Sequence, residues 1–160
     1  MANLKTANRA GKYSDPDAKE DLIAYIIQPQ KAIHGFIGGH HITANCPAQS
    51  MSAVSEHFGK SKGVQLRHYI ISFLPEELTD PVIANDIGNE ISAWIGEEYQ
   101  IVYAVHENRP HLHLHFIVNT VSYLDGHRWH GTKQEFYQLK NAIAAILRKH
   151  NIHPLIYVKS

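Results

Sequence analysis

From His106 to Asn119 the chain reads HENRPHLHLHFIVN, with four histidines in fourteen positions. His111, His113 and His115 alternate with leucines. Side chains two apart on a strand share a face, so as a strand this segment presents a row of imidazoles. Neutral imidazole is a ligand for divalent cations. Two histidines on one strand and a third from a neighbour give three-point attachment. Such a triad leaves coordination positions open for water or substrate, which indicates chemistry. A closed structural zinc site usually takes four protein ligands, often cysteines, and this chain has only Cys46.

His106 qualifies as the third ligand on a parity condition. Directly paired residues of a hairpin lie on the same face. If residues 107–110 form a four-residue loop, His106 pairs with His111 and shares the face of His113 and His115. An odd loop would turn His106 to the opposite face. The competing reading is a solvent-facing histidine row, because one face of an antiparallel sheet is commonly wet.

The elements that must position these residues follow from the apolar pattern. Residues 1–14 read as extended or loosely ordered. Ser14 or Asp15 before Pro16 starts a helix through Leu22, Ile23, Ile26 and Ile27 that Pro29 ends. GFIGGHHITA reads as a strand or loop, and a second helix runs from Pro47 to Gly59. QLRHYIISFL is rich in strand formers. A third helix opens at Asp80-Pro81, with Ile83, Ile87, Ile91, Trp94 and Ile95 on one face. Strands at 99–106 and 111–119 precede a hairpin turning at Asp125-Gly126. Thr132 and Glu135 make a capping box for the last helix, and LIYV can form a final strand. The link between the histidine strands is too short for a parallel crossover. The expected fold is therefore α/β (α+β), a two-layer domain with a central antiparallel sheet flanked by helices.

A chain of 160 residues is expected to form a single domain with a real core. It has no run of eighteen apolar residues and its first residues lack the apolar stretch of a secretory signal, so no membrane insertion is expected. One cysteine fits a reducing cytoplasm. Fifteen basic residues balance fifteen acidic ones, which argues mildly against nucleic acid. The thirteen histidines weaken that argument, since phosphate favours their charged form.

The spacing H-x(4)-H-x-H-x-H-x(3)-N resembles motif III of the mobilization-type relaxases, a branch of the HUH endonucleases. LKTANRAGKYSDPDA, LIAYIIQPQK, VQLRHYIISF and NTVSYLDGHRWH extend the resemblance over most of the chain. It implies an HUH-type catalytic domain over residues 1–160, which in this family often precedes a C-terminal extension. It also implies metal-dependent, strand-specific nicking of plasmid or integrative-element DNA at an origin of transfer. The expected nucleophile is Tyr25 in LIAYIIQPQK, giving a 5′-phosphotyrosine and a free 3′-OH that religation can rejoin. Tyr13 is its competitor, and packing is the plain reading of an aromatic on an amphipathic helix.

The metal ligands carried over are His106, His113 and His115, with His111 and Asn119 as additional motif residues. Asn108 stands where many relaxases have Asp, and an amide can hydrogen-bond but cannot act as a base. The implied cofactor is one divalent ion. Abundance favours Mn²⁺ or Mg²⁺, and imidazole ligation favours Zn²⁺, Ni²⁺ or Co²⁺. Implied partners are single-stranded or supercoiled origin-of-transfer DNA, accessory relaxosome proteins and a coupling protein.

Lys31, Arg67, His68, Arg128 and Lys133 are candidate DNA contacts, each with a solvated surface charge as the competing reading. Trp129 can stack an unpaired base or close the edge of the core. A rolling-circle replication initiator of the same class is the nearest alternative. A histidine-rich metal-binding hydrolase not acting on DNA and a non-catalytic single-strand DNA-binding module are the others.

Overall fold

The computed structural model describes residues 2–7, 12–14, 17–28, 32–107, 111–153 and 155–158. In chain order the elements are β1 (Ala2–Ala7), α1 (Ala18–Ile26), β2 (Ala32–His40), α2 (Pro47–His57), β3 (Leu66–Ser72), α3 (Pro81–Ile95), β4 (Ile101–His106), β5 (His113–Asn119), α4 (Lys133–Lys149) and β6 (Leu155–Val158). The strands form one sheet in the order β2-β4-β5-β3-β1-β6. Its pairs are antiparallel except β1 with β6, which run parallel at the edge. The parallel pair follows from the return of the chain through α4, a connection long enough for a crossover.

Local chemistry explains the helix boundaries. Asp80 caps α3 by accepting from the Val82 N–H at 2.9 Å, with Pro81 in the first turn. The expected capping box of α4 forms, with Thr132 and Glu135 each accepting the other's backbone N–H. Gly59 ends α2 at φ +65°, and Gly126 turns the short hairpin bridged by Val121 and Arg128 at φ +77°. α3 buries Ala84, Ile87, Ile91 and Ile95, while Ile83 and Trp94 of its expected apolar face are exposed at the margin.

The expected α+β domain, a largely antiparallel sheet flanked by helices, is what forms, and the helices divide between its two faces. One face of the central strands carries Ile101, Tyr103, Val105, Leu114, Phe116 and Val118 into a core with α3 and α4. The other carries Val102, Ala104 and Ile117 against α1 and α2. Alternation on β4 and β5 places the histidines on this second face, toward one end of the sheet.

Candidate active site

The β4–β5 register sets the histidine row. His106 pairs with His113, and Ala104 pairs with His115. The expected partner of His106 was His111, so the connection is two residues longer than a four-residue loop. Its parity is still even, and His106, His113 and His115 share one face. On β3 the same face is carried by Ser72, opposite His113, and Ile70, opposite His115; His68 follows two residues along. His106, His68 and His115 are buried and His113 is half-buried, so the row opens at the His113 end.

Two hydrogen bonds fix ring orientations. His106 donates Nε2–H to the Ile26 carbonyl at 2.6 Å. A carbonyl only accepts, so in a neutral His106 the lone pair lies on Nδ1. His115 meets His68 at 2.9 Å through its own Nδ1 and the His68 Nε2. His68 in turn contacts the Tyr13 hydroxyl through Nδ1 at 3.4 Å.

The two tyrosines differ in access. Tyr25 lies on the last turn of α1 and is 41% exposed. Ile26, the next residue, is the one that His106 grips. Tyr13 is 7% exposed, with its hydroxyl engaged by His68.

The donor set suits a divalent ion by its chemistry, because a neutral imidazole keeps one lone-pair nitrogen, which the Ile26 contact assigns to Nδ1 in His106. The rings themselves are not closed around a point. His106 and His115 stack with centroids 4.0 Å apart, and His113 lies 6.3 Å from His115. Among the described residues no group of three or more His, Cys, Asp or Glu is arranged to hold a metal ion.

The remaining sequence candidates scatter. Asn119 is on the histidine face but fully buried beyond Ile117, where it bonds the Met51 carbonyl, Gln100 and the Val121 N–H. It locks the far end of the sheet and does not join the trio. His111 precedes β5, half-buried, and its buried Nδ1 has no hydrogen-bond partner among the described residues. Asn108 and Lys31 lie outside the described residues.

Most of the proposed DNA contacts also fall elsewhere. Arg128 donates to the carbonyls of Lys60, Lys62 and Val64, which occupies its guanidinium in holding that loop. Arg67 is on the opposite sheet face, directly paired with Val118, and donates to the His130 carbonyl at 2.9 Å. Trp129 packs against the α3–α4 core and donates to Tyr69 Oη at 3.0 Å, the edge-closing alternative. Burial pushes the Tyr69 phenol up to about 12. Lys133 is exposed in the first turn of α4. His68, 4% exposed, is corrected from a surface contact to an inner partner of His115.

Two features escaped the sequence reading. Lys19 of α1 is 5% exposed and donates to Ser55 Oγ at 3.1 Å and Gln65 Oε1 at 3.3 Å. Burial lowers its pKa to about 8. A lysine on the inward side of a short helix carries no marker of burial in the sequence. The pairing of His68 with His115 had a partial signal: Leu66, His68 and Ile70 have the parity of one strand face.

An α+β domain whose central antiparallel strands carry a histidine trio beside a tyrosine-bearing helix has the architecture expected of an HUH-type nuclease domain. The sequence profile of the relaxase family, MobA/VirD2-like nuclease domain, matches residues 25–152. The chain belongs to this family. A relative, the protein rlx of Staphylococcus aureus, is 27% identical over 142 residues, covering 89% of this chain and 39% of that protein. The group II intron-interrupted relaxase LtrB of Lactococcus lactis subsp. cremoris (strain MG1363) is 29% identical, covering 71% of this chain and 25% of that protein. The protein TraI of Escherichia coli is 29% identical, covering 78% of this chain and 17% of that protein. The chain thus spans well under half the length of these relatives. Among the described residues, no helix is long and apolar enough to cross a membrane.

Proposed function

We propose that this domain nicks one strand of DNA at the origin of transfer of a plasmid or integrative element, using Tyr25 as nucleophile. The observation that carries the reading is the His106–Ile26 hydrogen bond, which ties the Tyr25-bearing turn of α1 to the histidine face. The exposure of Tyr25 and the burial of Tyr13 support the choice of nucleophile, since a phosphodiester must reach the attacking oxygen.

In the reaction the Tyr25 oxygen forms a bond to phosphorus as the bond from phosphorus to the 3′-oxygen breaks. The phenol loses its proton, and the departing 3′-oxygen gains one. The product is a 5′-phosphotyrosine with a free 3′-OH. The ester keeps the phosphorus activated, so the same 3′-OH can reverse the cut. His106, His113 and His115 would hold a divalent ion, Mn²⁺ or Mg²⁺ by abundance and Zn²⁺, Ni²⁺ or Co²⁺ by ligand preference. When bound, the ion supplies Lewis-acid neutralisation of the non-bridging phosphate oxygens. His106 also acts as an anchor, because its Nε2–H holds the end of α1 and with it the nucleophile. As a nuclease domain of this kind it would work in the cytoplasm on single-stranded or supercoiled origin DNA, with accessory relaxosome proteins and a coupling protein.

Incubation with origin-derived single-stranded oligonucleotides and Mn²⁺, followed by peptide mass spectrometry, tests the proposal. A nucleotide adduct on Tyr25 is expected. An adduct on Tyr13 would move the nucleophile. Absence of any tyrosine adduct with Mn²⁺, Mg²⁺ or Co²⁺ would overturn the nicking function.

A further inference from the structure

His68 is a buried imidazole on β3 with a nitrogen on each of two partners. Its Nε2 is 2.9 Å from His115 Nδ1 and its Nδ1 is 3.4 Å from the Tyr13 hydroxyl. The β3–β5 register explains the meeting. Ile70 faces His115 directly and His68 faces Ile117, so His68 is the diagonal neighbour of His115 on the same face.

Between two neutral imidazoles one nitrogen donates and the other accepts, and only two proton arrangements satisfy this chain. In the first, His115 Nδ1–H donates to His68 Nε2, and His68 Nδ1–H donates to the Tyr13 oxygen. The other nitrogen of His115, Nε2, then carries a lone pair. In the second, Tyr13 O–H donates to His68 Nδ1, and His68 Nε2–H donates to His115 Nδ1. In that case His115 Nε2 carries a proton and cannot ligate a cation.

We propose that His68 is a positioning residue that holds His115 in the first arrangement, with its Nε2 presented as a ligand. This rests on the reading of His115 as a cation ligand given above. Metal-binding histidines characteristically donate their second N–H to an outer partner, which fixes both tautomer and ring plane. A carboxylate or carbonyl usually accepts that bond; here a histidine fills the role, with Tyr13 behind it. The function asks for an acceptor at this point. An apolar ring would fill the same volume and leave the Nδ1–H of His115 buried without a partner.

The test uses the metal-free protein first. Long-range ¹⁵N–¹H correlation spectra of the imidazoles read the His115 tautomer directly. A proton on Nδ1 supports the proposal, and a neutral ring protonated on Nε2 overturns it. Two variants follow. His68→Phe keeps a ring but offers no acceptor, whereas His68→Gln offers an amide oxygen to His115 and an amide N–H to Tyr13.

Titration with Co²⁺, read by its visible absorption, should show binding weakened about 10- to 100-fold in His68→Phe and largely restored in His68→Gln. Equal affinity in His68→Phe and the unchanged protein overturns the proposal. If His68→Phe does not fold, the tautomer spectrum of the unchanged protein still decides. A protein that binds no Co²⁺ yet carries the Nδ1 proton on His115 counts against the metal chemistry while supporting the positioning by His68.

Discussion

His106 Nε2–H reaches the carbonyl oxygen of Ile26 over 2.6 Å, so the end of β4 grips the final turn of α1. A sheet residue that is also a candidate ligand thereby sets the position of the neighbouring Tyr25. The coupling makes the two roles of His106 separable by substitution.

His106→Leu removes both roles. It leaves the Ile26 carbonyl without its donor, a loss of about 1–3 kcal/mol in unfolding free energy. Adduct formation should fall about 100-fold or more, the scale of losing one group that stabilises a reacting centre. His106→Gln can donate an amide N–H to Ile26, so most of the stability should return while the adduct yield stays low. Urea unfolding and adduct yield, measured on both variants, check the separation. Full activity in His106→Leu would dismiss the role of His106 altogether.

Tyr25→Phe should form no adduct and keep the affinity of the parent for an origin oligonucleotide, because the ring stays on the exposed side of α1. Tyr13→Phe should retain the Tyr25 adduct. It removes only the hydroxyl at the buried end of the His68 chain. Mass mapping of the adduct in each variant distinguishes the two tyrosines. An adduct persisting in Tyr25→Phe and vanishing in Tyr13→Phe would reverse the assignment.

Much of this arrangement is visible in the chain itself. Alternation in HLHLH places His113 and His115 together before any register is known, and the parity of the connection adds His106. The capping box at Thr132 and Glu135 is local chemistry and forms as spelled. Contacts that depend on long-range register are not legible in this way. Nothing in QLRHYIISF says that β3 lies beside β5 or that His68 reaches His115 rather than solvent. Basic residues mislead for the same reason. Arg128 reads as a phosphate contact, yet its fork is spent on backbone carbonyls brought close by the fold.

The use of Arg128 has its own consequence. Arg128→Met should leave the carbonyls of Lys60, Lys62 and Val64 short of donors and cost about 1–3 kcal/mol of stability. Its effect on DNA should be small. The slope of log affinity against log salt should stay that of the parent, whereas loss of a phosphate contact would reduce it by about 1. A reduced slope with unchanged stability would restore Arg128 as a DNA contact.

Lys19 makes stability depend on pH in a direction set by its burial. Desolvation lowers its folded pKa from 10.5 to about 8, with Glu56 opposing the shift and Arg128 adding to it. Between these values the unfolded chain holds the Lys19 proton that the folded chain has released, so stability rises with pH across that window. Below pH 8 both states are protonated and the cost of the buried ammonium is fully present. The phenols act in the opposite sense. Burial raises Tyr69 to about 12 and also raises Tyr99, Tyr103 and Tyr123, so above pH 10 the unfolded chain loses protons that the folded chain retains. The urea midpoint should therefore climb from pH 8 toward 10 and then fall. Lys19→Met should flatten the climb, on the order of 2 kcal/mol in extent, and leave the fall above pH 10 in place. An unchanged climb in Lys19→Met would show that a group other than this lysine governs it.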